Sequence, residues 1–92
     1  MPIQKNHTLL DVGAGSGFFT IPMAENTSRK VYAMDPDRSM LSVIEAKAKE
    51  KGLTNIELIQ DYIENLSIQY NSIDFVMASL RGTQKGIIIN WL

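Results

Sequence analysis

The chain has 92 residues, 45% of them apolar and 21% charged, which is the composition of an ordinary globular protein and allows one domain at most. The chain has 9 lysine and arginine residues and 10 aspartate and glutamate residues. This balance gives no excess of positive charge that would attract nucleic acid or an anionic membrane. The lack of cysteine and the single histidine argue against disulfides, thiolate chemistry and a metal site. No stretch approaches the roughly 20 apolar residues of a membrane helix, and a cytoplasmic location is expected.

The first half of the chain predicts a strand, a helix and a second strand. Residues 8–12 are a short apolar run between polar residues and glycines, as in a buried strand. The glycines open a helix whose apolar content starts at Phe18, and Pro22 predicts that this helix is bent or short. Residues 30–34 predict the second strand, which ends at Asp35.

The second half begins with the most clearly amphipathic helix of the sequence. Residues 37–51 place apolar side chains at helical spacing, and Gly52 supplies a C-terminal stop. Residues 56–60 and 73–78 predict the third and fourth strands, joined by a connection of about a dozen residues with weak helical character. Three lysines of the helix are predicted to form a solvated face: Lys47, Lys49 and Lys51.

Strands and helices therefore alternate along the chain. This order predicts an α/β fold, a Rossmann-like, doubly wound parallel sheet of four or five strands with right-handed crossovers. Ligands of such sheets lie at the carboxyl ends of the strands. Four predicted features fall at those ends: Asp11, the glycine loop that follows it, Asp35, and the region of Asp61 and Tyr62. Asp74, at the start of the fourth strand, is expected at the opposite edge.

The loop after the first strand, DVGAGSG, combines an acid with three glycines at alternate positions. The dinucleotide fingerprint is G-x-G-x-x-G, so the third glycine stands one residue earlier here. Asp11 would repel a pyrophosphate, since like charges about 4 Å apart cost on the order of 4 kcal/mol at a near-surface dielectric. The sign of the charge favours a cationic ligand such as S-adenosylmethionine (SAM), which carries an ammonium and a sulfonium.

In these residues the chain resembles the class I SAM-dependent methyltransferases. Their first motif, an acid followed by x-G-x-G-x-G, stands at residues 11–17, and their second, an acid that ends the next strand, stands at Asp35 in VYAMDPDRSML. The stretches NIELIQDYIENL and NSIDFVMASL look like the third and fourth strands of the family. The resemblance covers residues 8–80 of a single partial domain, residues 1–92, and leaves an atypical tail at residues 81–92.

The resemblance implies a binding site for SAM as methyl donor. Asp35 would accept both ribose hydroxyls, and Pro36 and Met40 would lie against the adenine. Alignment on the strand places Asp61 at the exocyclic amine of the adenine, whereas alignment on ENL places Tyr62 there, and charge favours Asp61. The methionine part of SAM would be held by the first motif: Asp11, Gly13, Ala14, Gly15 and Gly17.

The two acids also have structural interpretations. Asp-Pro before an amphipathic run is a common helix start, with Asp35 as N-cap and Pro36 at the first helical position. Asparagine caps a helix about as well as aspartate, so Asp35→Asn would hardly change the stability of a protein in which Asp35 is only a cap. Asp11 has the alternative role of a strand-end residue that caps the glycine turn.

The acceptor side of a methyl transfer is not recognisable in the sequence. The segment ASLRGT stands where amine-methylating members have an Asn/Asp-Pro-Pro-Tyr signature, so no catalytic base is assigned. A small-molecule acceptor is favoured over a nucleic-acid base. The alternatives are a non-catalytic or truncated SAM-binding remnant and, less favoured, a fragment of a dinucleotide-binding oxidoreductase.

The tail LRGTQKGIIINWL is strongly apolar and almost uncharged. It is either a fifth strand or the foreign end of a truncated chain. In the strand order of the family the fourth strand is central, so a chain that stops after it exposes a sheet edge. We expect an isolated chain that is marginally stable or that self-associates through this edge.

Overall fold

The computed structural model describes residues 4–62, 73–80 and 85–90. Each strand and helix of the sequence analysis occurs there, with ends that shift by one or two residues, and the expected helical connection, residues 63–72, lies outside the described part. Neither helix in the described part has the length and hydropathy of a membrane span. The elements are β1 Leu9–Val12, α1 Thr20–Asn26, β2 Val31–Met34, α2 Arg38–Lys51, β3 Ile56–Ile59, β4 Phe75–Leu80 and β5 Lys85–Asn90.

The strands form one sheet with the order β3-β2-β1-β4-β5. The pairs β1–β2, β1–β4 and β2–β3 are parallel, so the predicted Rossmann-like α/β class is confirmed. β5 is antiparallel to β4, which differs from a wholly parallel sheet. Only residues 81–84 separate these two strands, enough for a hairpin but short of the dozen or more residues that a parallel crossover needs. The tail therefore contains a fifth strand that covers one edge of β4.

Both described helices pack on the same face of the sheet. Alternate residues of a strand face opposite sides, and Leu9 packs with Met23 of α1, while Leu10 belongs to a separate cluster on the other face. Ala33 shares the face of Leu9 and packs with Ile44 of α2. Two successive crossovers that step in the same direction along the sheet, from β1 to β2 and from β2 to β3, produce this arrangement. β4 then lies on the other side of β1, so the strand order reverses between β1 and β4.

The amino end of β1 is tied to the start of β4 by two hydrogen bonds. The Thr8 amide donates to Asp74 Oδ2 at 2.7 Å, and the Asp74 amide donates to the Thr8 carbonyl at 2.8 Å. These two residues are 66 positions apart in the chain. Asp74 therefore lies at the edge of the sheet opposite the carboxyl ends of the parallel strands, as the sequence predicts.

The turn before β3 is held by the side chain of Asn55. Its amide nitrogen donates to the carbonyls of Ala24, Thr27 and Arg29, at 3.1, 3.1 and 2.9 Å. The first of these carbonyls belongs to the last turn of α1, whose carbonyls have no partner within the helix. The side chain of Asn55, just before β3, thus links the end of α1 to the segment between α1 and β2.

Replacing Asn55 with aspartate is expected to lower the free energy of unfolding by about 3 kcal/mol, because a carboxylate replaces the donor and then faces three carbonyl oxygens. Urea unfolding followed by circular dichroism measures the loss. Asn6→Asp, at an exposed position, is the matched control for the added charge and should change stability by less than about 0.5 kcal/mol. Equal midpoints for both variants would contradict the role assigned to Asn55.

Candidate functional site

The candidate site lies at the carboxyl ends of the parallel strands. Crevices at this edge, where the strand order reverses, are the usual ligand sites of open α/β sheets. Here the order reverses between β1 and β4. Residues 13–17 follow β1, Asp35 follows β2, and Asp61 and Tyr62 follow β3 by two and three positions. The fold therefore brings the ends named by the sequence analysis to one edge of the sheet.

The glycine loop is shaped by left-handed backbone, by a hydrogen bond to the end of β2 and by a hydrogen bond within the loop. Gly13, Gly15 and Gly17 have φ of 67°, 57° and 91°. The Ala14 amide donates to the Met34 carbonyl at the end of β2, and the Gly17 amide donates to the Ala14 carbonyl, both at 3.0 Å. Ala14 is buried against α2. The loop is therefore fixed to the sheet and to α2 through its own backbone.

Two of these glycines differ in what surrounds them. A Cβ on Gly17 would lie 3.0 Å from Ile44 Cγ1 and 3.6 Å from Ile21 Cγ1, so this glycine allows the loop to pack closely on both helices. A Cβ on Gly15 would meet nothing nearer than the Gly13 carbonyl at 4.0 Å. Gly15 thus faces open space, which is the surface of the loop that a ligand can approach.

Asp35 connects the glycine loop to the start of α2. Its Oδ2 accepts a hydrogen bond from the Gly15 amide at 2.9 Å, and its Oδ1 accepts one from the Asp37 amide at 2.8 Å. The residue is 6% exposed. Two sequence motifs that are 20 residues apart therefore meet through one carboxylate.

The interpretation of Asp35 as the N-cap of α2 is wrong. The N-cap is Asp37, whose carboxylate accepts a hydrogen bond from the Ser39 amide at 2.9 Å. The amides of Met40 and Leu41 donate to the Asp37 carbonyl, so the helical hydrogen bonds begin at Asp37 and not at Asp35. Pro36 accordingly precedes the helix rather than occupying its first position.

Asp11 is fully buried in β1, between Ala33 of β2 and Met77 of β4 in the register of the sheet. Its Oδ2 accepts a hydrogen bond from the Thr20 hydroxyl at 2.7 Å. Thr20 is the first residue of α1 and is also fully buried. The sequence analysis did not identify Thr20, since an isolated threonine inside an apolar helix gives no periodic signal. Asp11 therefore lies beneath the loop, without exposed surface of its own.

The residues predicted for the adenine side lie at the ends of β2 and β3. The Gln60 side-chain amide donates to the Pro36 carbonyl at 3.4 Å, which joins the two strand ends. Pro36 and Met40 are half-buried. Asp61 Oδ1 accepts a hydrogen bond from the Tyr62 amide at 2.7 Å, and Tyr62 is 58% exposed. The choice between Asp61 and Tyr62 stays a prediction.

Lys47 has a role that the sequence analysis missed. The predicted solvated face is correct for Lys49 and Lys51, which are exposed, whereas Lys47 is half-buried. Its Nζ donates to the Ser16 carbonyl of the glycine loop at 2.8 Å. A lysine 31 residues away from the loop gives no local signal of this contact. α2 therefore supports the loop both by packing and by a charged hydrogen bond.

Comparison with known proteins agrees with this geometry. A family model described as a methyltransferase domain matches residues 9–85. The chain is 36% identical over 78 residues to the "Probable ribosomal RNA small subunit methyltransferase A" of Methanosphaera stadtmanae, covering 85% of this chain and 28% of that protein. It is 40% identical over 78 residues to the demethylmenaquinone methyltransferase of Geobacillus stearothermophilus, covering 83% of this chain and 33% of that protein. The chain thus spans about a third of the length of these relatives.

A solved structure gives the same fold with a ligand in its crystal. The phosphoethanolamine N-methyltransferase 1 of Haemonchus contortus, in complex with phosphoethanolamine and S-adenosylhomocysteine, superposes with a TM-score of 0.76 at 27% identity. The superposition covers 85% of this chain and 16% of that one.

These comparisons correct one prediction and establish the family. The expectation of a small-molecule acceptor without a nucleic-acid footprint is wrong, because a relative that matches most of the chain is a ribosomal RNA methyltransferase, whose acceptor is nucleic acid. The charge balance of a segment that spans about a third of such proteins does not report on the rest of their surface. The match over residues 9–85, together with the glycine loop and the acids at the strand ends, shows that the chain belongs to the methyltransferase domain family.

Proposed function

We propose that the described residues form the methyl-donor site of a SAM-dependent methyltransferase. The observation that supports this most directly is the hydrogen bond from the Gly15 amide to Asp35 Oδ2, because it unites the two acidic motifs at one edge of the sheet. S-Adenosylhomocysteine is the product that SAM leaves after methyl transfer, and a protein with the same fold was crystallised with it. The relatives are about three times as long as this chain, so the activity of a whole protein of that kind is part of the proposal.

The chemistry of the proposed site matches the parts of SAM. A ribose diol offers two hydroxyl donors, and a carboxylate such as that of Asp35 is an acceptor-only group with capacity for both. The methionine part carries an ammonium, which the buried negative charge of Asp11 favours and which a pyrophosphate ligand lacks. The open space at Gly15 leaves room for the ligand to approach the loop backbone. SAM, when bound, supplies a methyl group on a sulfonium.

The adenine would lie between the ends of β2 and β3. We assign Pro36 and Met40 to the face of the ring, since both are half-buried at the start of α2. Asp61 is assigned to the exocyclic amine, because a carboxylate accepts from an amine, whereas a tyrosine hydroxyl does so less strongly. The Gln60 contact to Pro36 keeps these two strand ends together.

Methyl transfer is an in-line displacement, so positioning of donor and acceptor supplies much of the rate. In the part of the chain that the structure describes, no side chain is assigned as a general base, and the proposal is confined to the donor side. The relatives named above include one whose acceptor is ribosomal RNA and one named for demethylmenaquinone, so family membership does not identify the acceptor.

Calorimetric titration of the chain with SAM and, separately, with NAD tests the donor site. We expect one SAM to bind per chain and NAD to give no saturable heat, because the buried Asp11 opposes a pyrophosphate. S-Adenosylhomocysteine should bind as well, since it retains the ammonium and the ribose. Binding of NAD with no binding of SAM would overturn the proposal, and identical affinities for the two would remove its electrostatic basis.

A further inference from the structure

Thr20 and Asp11 are two polar side chains that are both fully buried where α1 begins. A hydroxyl near a helix start commonly accepts a bond from a backbone amide of the first turn. Here the Thr20 hydroxyl donates to Asp11 Oδ2 at 2.7 Å, and the N-cap of α1, Phe19, makes no side-chain capping bond. The hydroxyl is thus directed at the carboxylate of β1.

The surroundings of Asp11 explain why the orientation of its carboxylate needs support. Its register neighbours on both sides, Ala33 and Met77, are apolar and buried. A buried carboxylate requires hydrogen-bond donors, and Thr20 supplies one from a different element. Asp11 has no exposed surface, and the charge of a buried carboxylate is screened less by salt than that of a surface one, so it can act on a ligand that it does not touch.

We infer that Thr20 is a positioning residue of the donor site, whose hydroxyl holds the Asp11 carboxylate so that its charge attracts the ammonium of the donor. The inference rests on the proposed function and deepens it, because it names a residue that acts on the methionine part alone. Thr20 itself, being fully buried, has no surface at which to touch a ligand.

The test compares two ligands in calorimetric titrations of Thr20→Val, which keeps the shape of threonine and removes the hydroxyl. The ligands are SAM and 5′-methylthioadenosine, which keeps the adenosine and the sulfur but lacks the ammonium-bearing part. We expect the affinity for SAM to fall about tenfold, the effect of one weakened charge interaction. The affinity for 5′-methylthioadenosine should not change, because the ribose and adenine contacts are intact.

Thr27→Val is the matched control. Thr27 is also buried, and its hydroxyl donates to the carbonyls of Lys5 and His7, which precede β1 at the opposite edge of the sheet. This variant should lose stability without changing the ratio of the two affinities. Should Thr20→Val not fold, Thr20→Ser and Thr20→Ala replace it, since they differ by the hydroxyl alone. The serine variant is then expected to bind SAM as the unmodified chain does, and the alanine variant about tenfold more weakly.

Three results would overturn the inference: an unchanged affinity of Thr20→Val for SAM, an equal loss for both ligands, or equal SAM affinities of the serine and alanine variants. An equal loss marks a purely structural role for Thr20. Failure of the unmodified chain to bind SAM is a different result, which refutes the proposed function itself. The two failures are therefore told apart by the titration of the unmodified chain.

Discussion

Replacing Asp35 with asparagine is expected to weaken SAM binding about 10- to 100-fold and to lower the free energy of unfolding by about 1–3 kcal/mol. The affinity falls because an amide offers one acceptor where the carboxylate offers two to the ribose diol. Stability falls because Asp35 accepts from both the Gly15 and Asp37 amides, and one of these would face an amide nitrogen. Calorimetry and urea unfolding measure the two effects.

Asp37→Asn provides the control for this experiment. It removes the same charge from a residue two positions away, and asparagine retains the capping bond to the Ser39 amide. We expect SAM affinity and stability close to those of the unmodified chain. If Asp35→Asn bound SAM equally well, Asp35 would be reduced to a residue that joins the loop to the helix start. If both variants lost affinity equally, the loss would come from the removal of a negative charge near the site and not from a contact of Asp35.

Replacing Gly17 with alanine is expected to lower the free energy of unfolding by about 2–5 kcal/mol. Left-handed backbone costs a residue with a Cβ about 1–2 kcal/mol, and overpacking adds about 1–3 kcal/mol. The φ of Gly17 is 91°, and its added Cβ would lie 3.0 Å from Ile44 Cγ1. Ile44 is fully buried, so its side chain has little freedom to move away. Thermal and urea unfolding measure the loss.

Gly52→Ala separates the two contributions to this loss. Gly52 has a φ of 68°, but an added Cβ would meet nothing within 4 Å, so only the backbone cost of about 1–2 kcal/mol applies. The difference between the two variants is then the cost of the contact with Ile44. Gly17→Ala combined with Ile44→Ala should destabilise by less than the sum of the single changes. Equal losses for Gly17→Ala and Gly52→Ala would show that the close packing of the loop is unimportant.

The secondary structure could be predicted because its signals are local. Helix α2 has apolar residues at helical spacing and a glycine that ends it with left-handed backbone, and the parallel strands are short, largely apolar segments. Parallel strands place their carboxyl ends together, so the common location of the glycine loop and Asp35 also followed from the sequence. The hydrogen bond from the Gly15 amide to Asp35 forms because this topology places the two strand ends side by side.

The side-chain contacts of the site could not be predicted, because they depend on how the elements pack. Thr20 reaches Asp11 only when α1 lies on the face of β1 that carries the acid, and Lys47 reaches Ser16 only when α2 lies beside the loop. The Asp-Pro pattern offered Asp35 as an alternative N-cap of α2, because a sequence does not show that the helical hydrogen bonds begin two residues later, at Asp37. The direction of β5, by contrast, could have been inferred from the shortness of residues 81–84.

The bonds between Thr8 and Asp74 have a consequence for biosynthesis. β1 leaves the ribosome before the other described strands, yet one of its two flanking strands, β4, is completed only at Leu80, long after β2 ends at Met34. At roughly 5–20 residues per second, translation of that interval takes on the order of 2–10 s. During this delay the nascent chain exposes one hydrogen-bonding side of a strand that is destined for the interior. Chaperones that recognise apolar extended segments are expected to engage the polypeptide in this interval.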